Sequence, residues 1–196
     1  KRAVLHAHIG DRAEGLQPLW DAGKQTGLPL DRFVATHVNR NPALLDMAAD
    51  FAKAGGSIDV TGQIQVERGY KQATPAANAI IKLIDANVPI ERITLSTDSG
   101  GAYTQQGESR FRMAEPDTMW QTVQSLAQLG LTYTQIASIA SHHASELLGL
   151  THKGRITSGA DADLLLLTPS GELNCVWSRG QLMVQNGQAL VTSEYE

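Results

Sequence analysis

Residues 33–41 read Phe33-Val34-Ala35-Thr36-His37-Val38-Asn39-Arg40-Asn41, a short apolar run that reaches a histidine and continues into a loop. Two other segments follow the same plan, residues 3–11 with His8 and residues 93–101 with Asp98. Each segment predicts a strand that ends in a side chain able to bind a metal ion. If the strands are parallel neighbours, two imidazoles and one carboxylate lie at the same edge of one sheet.

Strand and helix patterns alternate along the first half of the chain. Helical spacing of apolar residues is found around Glu14 to Lys24, and again after Asn41-Pro42 and Thr74-Pro75, where a capping residue precedes proline. Ser57 to Thr61 reads as a further strand. Strands that alternate with helices of this length pair in parallel through right-handed crossovers. The predicted fold class is therefore α/β.

The number of strand-helix units predicts half of a barrel. A complete (β/α) barrel needs eight units and typically about 250 residues, and it keeps its chemistry at the carboxyl ends of its strands. Four units are visible here, and the sequence opens in a strand without an initiating Met. We therefore expect the C-terminal half of a TIM-like (β/α) barrel that belongs to a larger enzyme.

The sequence pattern changes twice in the second half of the chain. Residues 99–115 are polar and contain glycine, and they are longer than a structural connection needs, which suggests a segment that covers a site. Two helices are predicted next, over Pro116 to Leu129 and over Thr134 to Leu148. Within the second helix, His142 and His143 are interpreted as surface or packing residues, because no suitable ligand lies one turn away.

The chain from Lys153 onward predicts short strands joined by tight turns. Asn186-Gly187 between apolar runs is a strong hairpin signal. Asp161 and Asp163 lie in a glycine-containing turn and are interpreted as structural rather than as metal ligands. We therefore predict two domains, residues 1–152 as half of the barrel catalytic domain and residues 153–196 as a small β-sandwich segment.

Composition narrows the class of protein. The chain has 196 residues, of which 42% are hydrophobic and 18% charged, as in soluble globular proteins. The formal net charge of -4 and the scattered Lys and Arg residues argue against nucleic-acid binding. The single cysteine excludes an internal disulfide, and no apolar run approaches membrane-spanning length. We expect a cytoplasmic protein that engages neither nucleic acid nor membrane.

Four stretches resemble a known family. The chain resembles the carboxyl-terminal half of the metal-dependent amidohydrolase superfamily, and most closely the isoaspartyl (β-aspartyl) dipeptidases. The matching stretches are His8-Ile9-Gly10-Asp11, Thr36-His37-Val38-Asn39-Arg40-Asn41, Ser57-Ile58-Asp59-Val60-Thr61 and Leu95-Ser96-Thr97-Asp98. The tail over residues 154–184 is similar to the whole superfamily, so it does not identify a substrate.

The resemblance implies a reaction and roles for four residues. It implies that His8 and His37 bind one metal of a binuclear zinc site and that Asp98 binds the other. A metal-bridging hydroxide would attack the isopeptide carbonyl, and Asp98 would pass the proton to the leaving amine. Arg40 would bind a carboxylate of the dipeptide, for which a guanidinium fork is well suited. The implied activity is zinc-dependent hydrolysis of isoaspartyl dipeptides.

The chain also departs from the family pattern. The His-x-His pair and the bridging lysine of the family would precede this segment, and Ala102 stands where the family often has a serine that helps to bind substrate. His6 is interpreted as an interior histidine, or one that supports a ligand, that points into a lower barrel layer rather than as a ligand itself. Half of the metal site is therefore present, and the segment alone is expected to be inactive.

Two alternatives to the dipeptidase reading stay open. One is another amidohydrolase activity on a cyclic amide or an N-acyl amino acid, and the other is a non-catalytic fragment or assembly module. Half a barrel also leaves two open sheet edges and an apolar face. We therefore expect as partners the missing N-terminal half of the barrel and further copies of the chain in a homo-oligomer.

Overall fold

The computed structural model describes residues 3–105 and 107–191, which cluster into two compact units that divide between Gly149 and Leu150. This division lies three residues before the predicted one after residue 152. The assignment of the two units as a catalytic and an accessory domain stays a prediction. No helix in the described residues is both long and apolar enough to cross a membrane.

The first unit is built on a four-stranded parallel sheet. Its strands are β1 (Leu5–His8), β2 (Phe33–Thr36), β3 (Ser57–Thr61) and β4 (Ile93–Ser96), and they lie side by side in chain order. Three helices make the crossovers, α1 (Gln17–Thr26), α2 (Pro42–Lys53) and α3 (Ala76–Asp85). Single 3-10 turns at Leu30–Arg32, Val66–Arg68 and Ile90–Arg92 adjoin the strands. The α/β fold of a half barrel is confirmed.

Local sequence explains where helix α2 begins. The side chain of Asn41 caps α2 by accepting a hydrogen bond from the backbone N–H of Leu44 at 2.8 Å, and Pro42 occupies the first turn, where its missing N–H costs nothing. α2 then turns a face that includes Leu45 and Phe51 into the core. The sheet is buried on both faces at its centre, since every residue of β2 and β3 is buried.

The chain between β4 and the end of the first unit differs from the sequence prediction in two places. The predicted loop 99–115 contains an antiparallel hairpin, β5 (Ala102–Thr104) paired with β6 (Phe111–Met113). After α4 (Asp117–Gln128), the predicted helix 134–148 is interrupted by a π-helical turn at Ser138–His142 between α5 (Tyr133–Ala137) and α6 (His143–Leu148).

The π-helical turn accompanies a buried histidine. His143 is 7% exposed, and its Nδ1 lies 3.1 Å from the backbone carbonyl oxygen of Ile93, which begins β4. This contact joins the last helix of the unit to the sheet. The interpretation of His143 as a packing residue therefore agrees with the structure.

Gly56 marks a place where the backbone passes directly over the core. A Cβ built on Gly56 would overlap the ring of Phe51, which is fully buried. We expect Gly56→Ala to lower the free energy of unfolding by about 3 kcal/mol, because a close-packed ring cannot move aside cheaply. Urea unfolding measures this change. Gly10→Ala is the matched control, since a Cβ there meets no atom within 4 Å, and an equal loss in both variants would contradict the packing explanation.

The second unit is a four-stranded antiparallel sheet in the order β10-β9-β8-β7. Its strands are β7 (Leu164–Leu167), β8 (Leu173–Ser178), β9 (Gln181–Gln185) and β10 (Gln188–Ala189). Asn186 and Gly187 both adopt positive φ angles, 51° and 73°, as the predicted two-residue hairpin turn requires. Lys153 forms ion pairs with both Asp161 and Asp163, which agrees with a structural role for the two carboxylates.

Candidate active site

Two of the predicted metal ligands face each other at the carboxyl edge of the parallel sheet. His8 ends β1, and His37 follows the neighbouring strand β2. Nδ1 of His8 lies 2.9 Å from Nε2 of His37, and the two ring centroids are 4.9 Å apart. His37 has a φ of 68°, a left-handed conformation that residues other than glycine rarely adopt and that recurs at functional sites.

Burial keeps His37 neutral. The residue is 7% exposed, and burial lowers the pKa of His37 to about 4, while the nearby Asp98 charge opposes this shift and His8 adds to it. The imidazole therefore carries no proton on one ring nitrogen at neutral pH. A neutral imidazole with a free lone pair is the form that binds a divalent cation.

Asp98 lies two residues beyond β4 and also has a left-handed backbone conformation, with a φ of 58°. It is close enough to influence His37 electrostatically. Across residues 3–105 and 107–191, however, no group of three or more His, Cys, Asp or Glu side chains is gathered closely enough to hold a metal ion. The structure pairs His8 with His37, and the assignment of all three residues as ligands stays a prediction.

His6 lies on the same face of β1 as His8, with the two ring centroids 5.4 Å apart. The sequence predicts an interior histidine, or one that supports a ligand, in a lower barrel layer, whereas His6 is exposed and lies on β1, an outer strand of the sheet as described.

A buried carboxylate behind the histidine pair was given no role by the sequence. Asp59, in the middle of β3, is 4% exposed and accepts hydrogen bonds from four hydroxyls. The donors on the neighbouring strands are Thr36 Oγ1 at 2.6 Å, Thr94 Oγ1 at 2.8 Å and Ser96 Oγ at 2.6 Å, and Thr61 Oγ1 on β3 itself lies 3.5 Å away. Burial raises the pKa of Asp59, and hydrogen bonds from the neighbouring strands oppose the shift. Asp59 and these donors tie β2, β3 and β4 together at their centre.

Thr61 connects this carboxylate to the histidine pair. Its Oγ1 lies 3.0 Å from Nδ1 of His37 and 3.4 Å from Oγ1 of Thr36, which donates to Asp59. Its backbone is held by the buried Asn39, which accepts from Thr61 N at 3.0 Å and donates to Thr61 O at 3.1 Å. If Nε2 of His37 binds a cation, Nδ1 carries the proton, and Thr61 Oγ1 is placed to accept it.

Arg40 already has a carboxylate partner within the chain. Its Nε and Nη2 donate to the two carboxylate oxygens of Asp11 at 3.1 and 2.8 Å, and its guanidinium lies 4.8 Å from the centre of the Tyr70 ring. The Asp11 hydrogen bond raises the pKa of Arg40, and the guanidinium in turn lowers the pKa of Asp11. The residue predicted to bind a substrate carboxylate is therefore oriented by Asp11.

A cavity of about 510 Å³ opens beside Arg40. It lies among loops that follow all four parallel strands, so it occupies the same edge of the sheet as His8 and His37. The hairpin β5–β6 forms one wall, in agreement with the prediction that the 99–115 segment covers a site. The residues that line the cavity are Asp11, Arg40, Asn41, Arg68, Gly69, Tyr70, Lys71, Gln72, Ala102, Tyr103, Thr104 and Phe111.

The family is decided by comparison with known proteins. The amidohydrolase family matches the chain over residues 7–183. The chain belongs to the amidohydrolase family. A curated relative, one of the subunits of the formyltransferase/hydrolase complex of Methylorubrum extorquens, is 25% identical over 115 residues, which is 52% of this chain and 21% of the relative.

Solved structures of two hydrolases share the fold. A β-aspartyl dipeptidase of Fervidobacterium islandicum AW-1 in complex with β-Asp-Leu superposes with a TM-score of 0.82 at 22% identity, over 99% of this chain and 51% of that one. An atrazine chlorohydrolase of Arthrobacter aurescens TC1, complexed with zinc, gives a TM-score of 0.56 at 16% identity over 98% and 46% of the two chains. The chain therefore spans about half the length of these structures and about a fifth of the curated relative.

Proposed function

We propose that the complete protein hydrolyses isoaspartyl (β-aspartyl) dipeptides with zinc, and that this chain supplies half of the active site. The observation that carries the proposal is the pair of facing ring nitrogens of His8 and His37, 2.9 Å apart, at the sheet edge that also holds the cavity beside Arg40. The similarity in fold to a dipeptidase that binds β-Asp-Leu supports the choice of substrate.

The chemistry of the donor set fits a zinc site. His8 and His37 would contribute ring nitrogens, Asp98 would contribute a carboxylate, and these are ligand types that zinc prefers. When bound, a divalent cation polarises the carbonyl of the amide and lowers the pKa of a water molecule. Because the chain spans about half of the solved dipeptidase, we propose that the remaining half supplies the other ligands.

Asp98 is proposed to move the proton. Its carboxylate would accept the proton of the attacking water and deliver it to the nitrogen of the departing amino acid. The positive φ of the residue holds its backbone in one uncommon conformation directly after β4, which fits a side chain that must be placed accurately. His37, in its neutral form, would stay a ligand throughout.

Arg40 is proposed to position the substrate through one of its carboxylates. We expect Arg40→Met to raise KM for β-Asp-Leu about 10-fold with a smaller change in kcat, because a hydrogen bond to a charged group contributes about 1.5–3 kcal/mol. Steady-state kinetics of the metal-loaded complete protein measure both constants. Arg12→Met, at an exposed arginine that does not line the cavity, is the control. A fall in kcat at unchanged KM would contradict the positioning role.

The proposed activity has a direct test. The metal-loaded complete protein is assayed with β-Asp-Leu, before and after zinc is removed by a chelator. We expect hydrolysis that is lost with the metal and restored by adding zinc. If no β-aspartyl dipeptide is hydrolysed, the dipeptidase proposal is wrong, and turnover of a cyclic amide or an N-acyl amino acid would indicate the other amidohydrolase activities. Absence of any hydrolysis would favour a non-catalytic role.

Self-association is proposed from the sheet edges. β1 and β4 are the outer strands of the parallel sheet among the described residues, and outer strands present unpaired backbone groups. We propose that the other half of the barrel covers these strands in the complete protein, and that the chain without that half self-associates through them. A mass measured by size-exclusion chromatography with light scattering tests the assembly.

A further inference from the structure

We propose that Arg68 is a second carboxylate anchor in the cavity beside Arg40, so that the site selects substrates with two carboxylates. The inference rests on the proposed function and adds a specificity residue to it. An isoaspartyl dipeptide has two carboxylates by its covalent structure, the α-carboxylate of the aspartyl residue and the carboxylate of the second amino acid. Arg40 and Arg68 would bind one carboxylate each.

The guanidinium of Arg68 is held in place by neutral groups. Its Nε donates to Oε1 of Gln65 at 3.3 Å, and its Nη1 donates to Oε1 of Gln63. Gln63 is 3% exposed and is itself fixed by a hydrogen bond from its Nε2 to the backbone carbonyl of Glu115 at 2.6 Å. The guanidinium also lies 4.8 Å from the centre of the Tyr103 ring. The binding group is therefore oriented before a ligand arrives.

The two cavity arginines differ in their charge balance. Arg40 is neutralised by the forked contact with Asp11, whereas Arg68 has no carboxylate within 4.0 Å among residues 3–105 and 107–191. Within the described residues, its half-buried guanidinium contacts two amide oxygens and an aromatic face. Lys71 also lines the cavity, so the lining carries three cations against the single carboxylate of Asp11. An anionic ligand is the complement of this lining.

The position of Arg68 fits a substrate that spans the cavity. Arg40 follows β2, while Arg68 ends the 3-10 turn after β3, so the two guanidinium groups approach from different loops. Tyr70 and Tyr103 each flank one of them. Ala102, which lines the cavity from β5, has no side-chain group that could donate a hydrogen bond to a carboxylate. Arg68, on the loop after β3, would supply such a donor.

The test compares Arg68→Met in the complete protein on three ligands. β-Asp-Leu has both carboxylates, β-Asp-Leu amide lacks the one at the carboxyl terminus, and β-Ala-Leu lacks the α-carboxylate of the aspartyl residue. Each is measured as a substrate or as a competitive inhibitor. We expect Arg68→Met to lower kcat/KM for β-Asp-Leu about 10- to 100-fold. The same loss should persist with one analogue and disappear with the other.

Two further variants separate charge recognition from folding. Arg110→Met is the matched control, because its side chain is 77% exposed, lies between β5 and β6 and does not line the cavity. Arg68→Lys keeps the charge but not the fork, so its loss should lie between those of wild type and Arg68→Met. An equal loss on all three ligands, or no loss on any, would overturn the assignment of Arg68.

The role of Arg68 in carboxylate binding can be tested even if the proposed hydrolysis is not observed. If the metal-loaded wild type hydrolyses no β-aspartyl dipeptide, binding of the dicarboxylate glutarate is measured by titration calorimetry. Weaker binding to Arg68→Met but unchanged binding to Arg110→Met would support a dicarboxylate site of different function. No binding to the wild type, or equal binding to all variants, would overturn the inference.

Discussion

Asp98→Asn is expected to lower kcat for β-Asp-Leu about 1000-fold in the complete protein. Asparagine keeps the size of the side chain and one oxygen, but it cannot accept a proton at neutral pH. A positioned acid or base accelerates a reaction about 100- to 10,000-fold, so removal of the proton carrier should appear chiefly in kcat. Steady-state kinetics with measured zinc content would show whether the loss arises with the metal still bound.

The control for this variant is Asp50→Asn, at an exposed position on α2, which should leave kcat unchanged. Asp98 and Arg40 are proposed to have separate roles. Asp98→Asn should therefore chiefly lower kcat, whereas Arg40→Met should chiefly raise KM. The reverse pattern, with Asp98→Asn raising KM while kcat is kept, would assign proton transfer to another residue.

Asp59→Ala is expected to reduce both stability and metal affinity. The substitution removes the acceptor of three hydroxyls on β2 and β4, of which those of Thr36 and Thr94 are buried and that of Ser96 is half-buried, and buried donors without partners cost about 1–3 kcal/mol each. Some hydroxyls can turn to other acceptors, as Thr94 can to the Ile58 carbonyl at 3.3 Å. We therefore expect a loss of about 3 kcal/mol in the free energy of unfolding, measured by urea denaturation.

The effect of Asp59→Ala on zinc follows from the contact between Thr61 and His37. Groups that orient a metal-binding histidine commonly contribute about 10- to 100-fold to metal affinity, which a competition titration with a chromophoric chelator measures. Asp50→Ala should change stability by less than about 0.5 kcal/mol, as at other exposed sites. Wild-type zinc affinity in Asp59→Ala would show that the buried network does not support His37.

Several elements of both units follow from local sequence signals. Asn41-Pro42 marks the start of α2, and the hydrophobic spacing after it places the buried face of that helix. Asn186-Gly187 forms the turn that its sequence predicts. These signals work because capping and turn geometry depend on a few adjacent residues.

The rest depended on contacts between distant parts of the chain. Asp59 is an acidic residue between the apolar Ile58 and Val60 of a predicted strand, which is a visible signal, but its hydroxyl donors on β2 and β4 lie 23–37 residues away. The same holds for Arg40, whose partner Asp11 is 29 residues away. The stacking of Arg68 on Tyr103 likewise joins the 3-10 turn after β3 to strand β5. The pattern of one segment cannot predict such pairs.

The assignment of His8, His37 and Asp98 as metal ligands is tested most directly by a crystal structure of the zinc-loaded complete protein, with the metals located from zinc anomalous scattering. We expect one zinc within about 2.0–2.2 Å of ring nitrogens of both His8 and His37 and a second at a similar distance from a carboxylate oxygen of Asp98. Zinc bound elsewhere, or bound without any of these three side chains, would contradict the proposed active site.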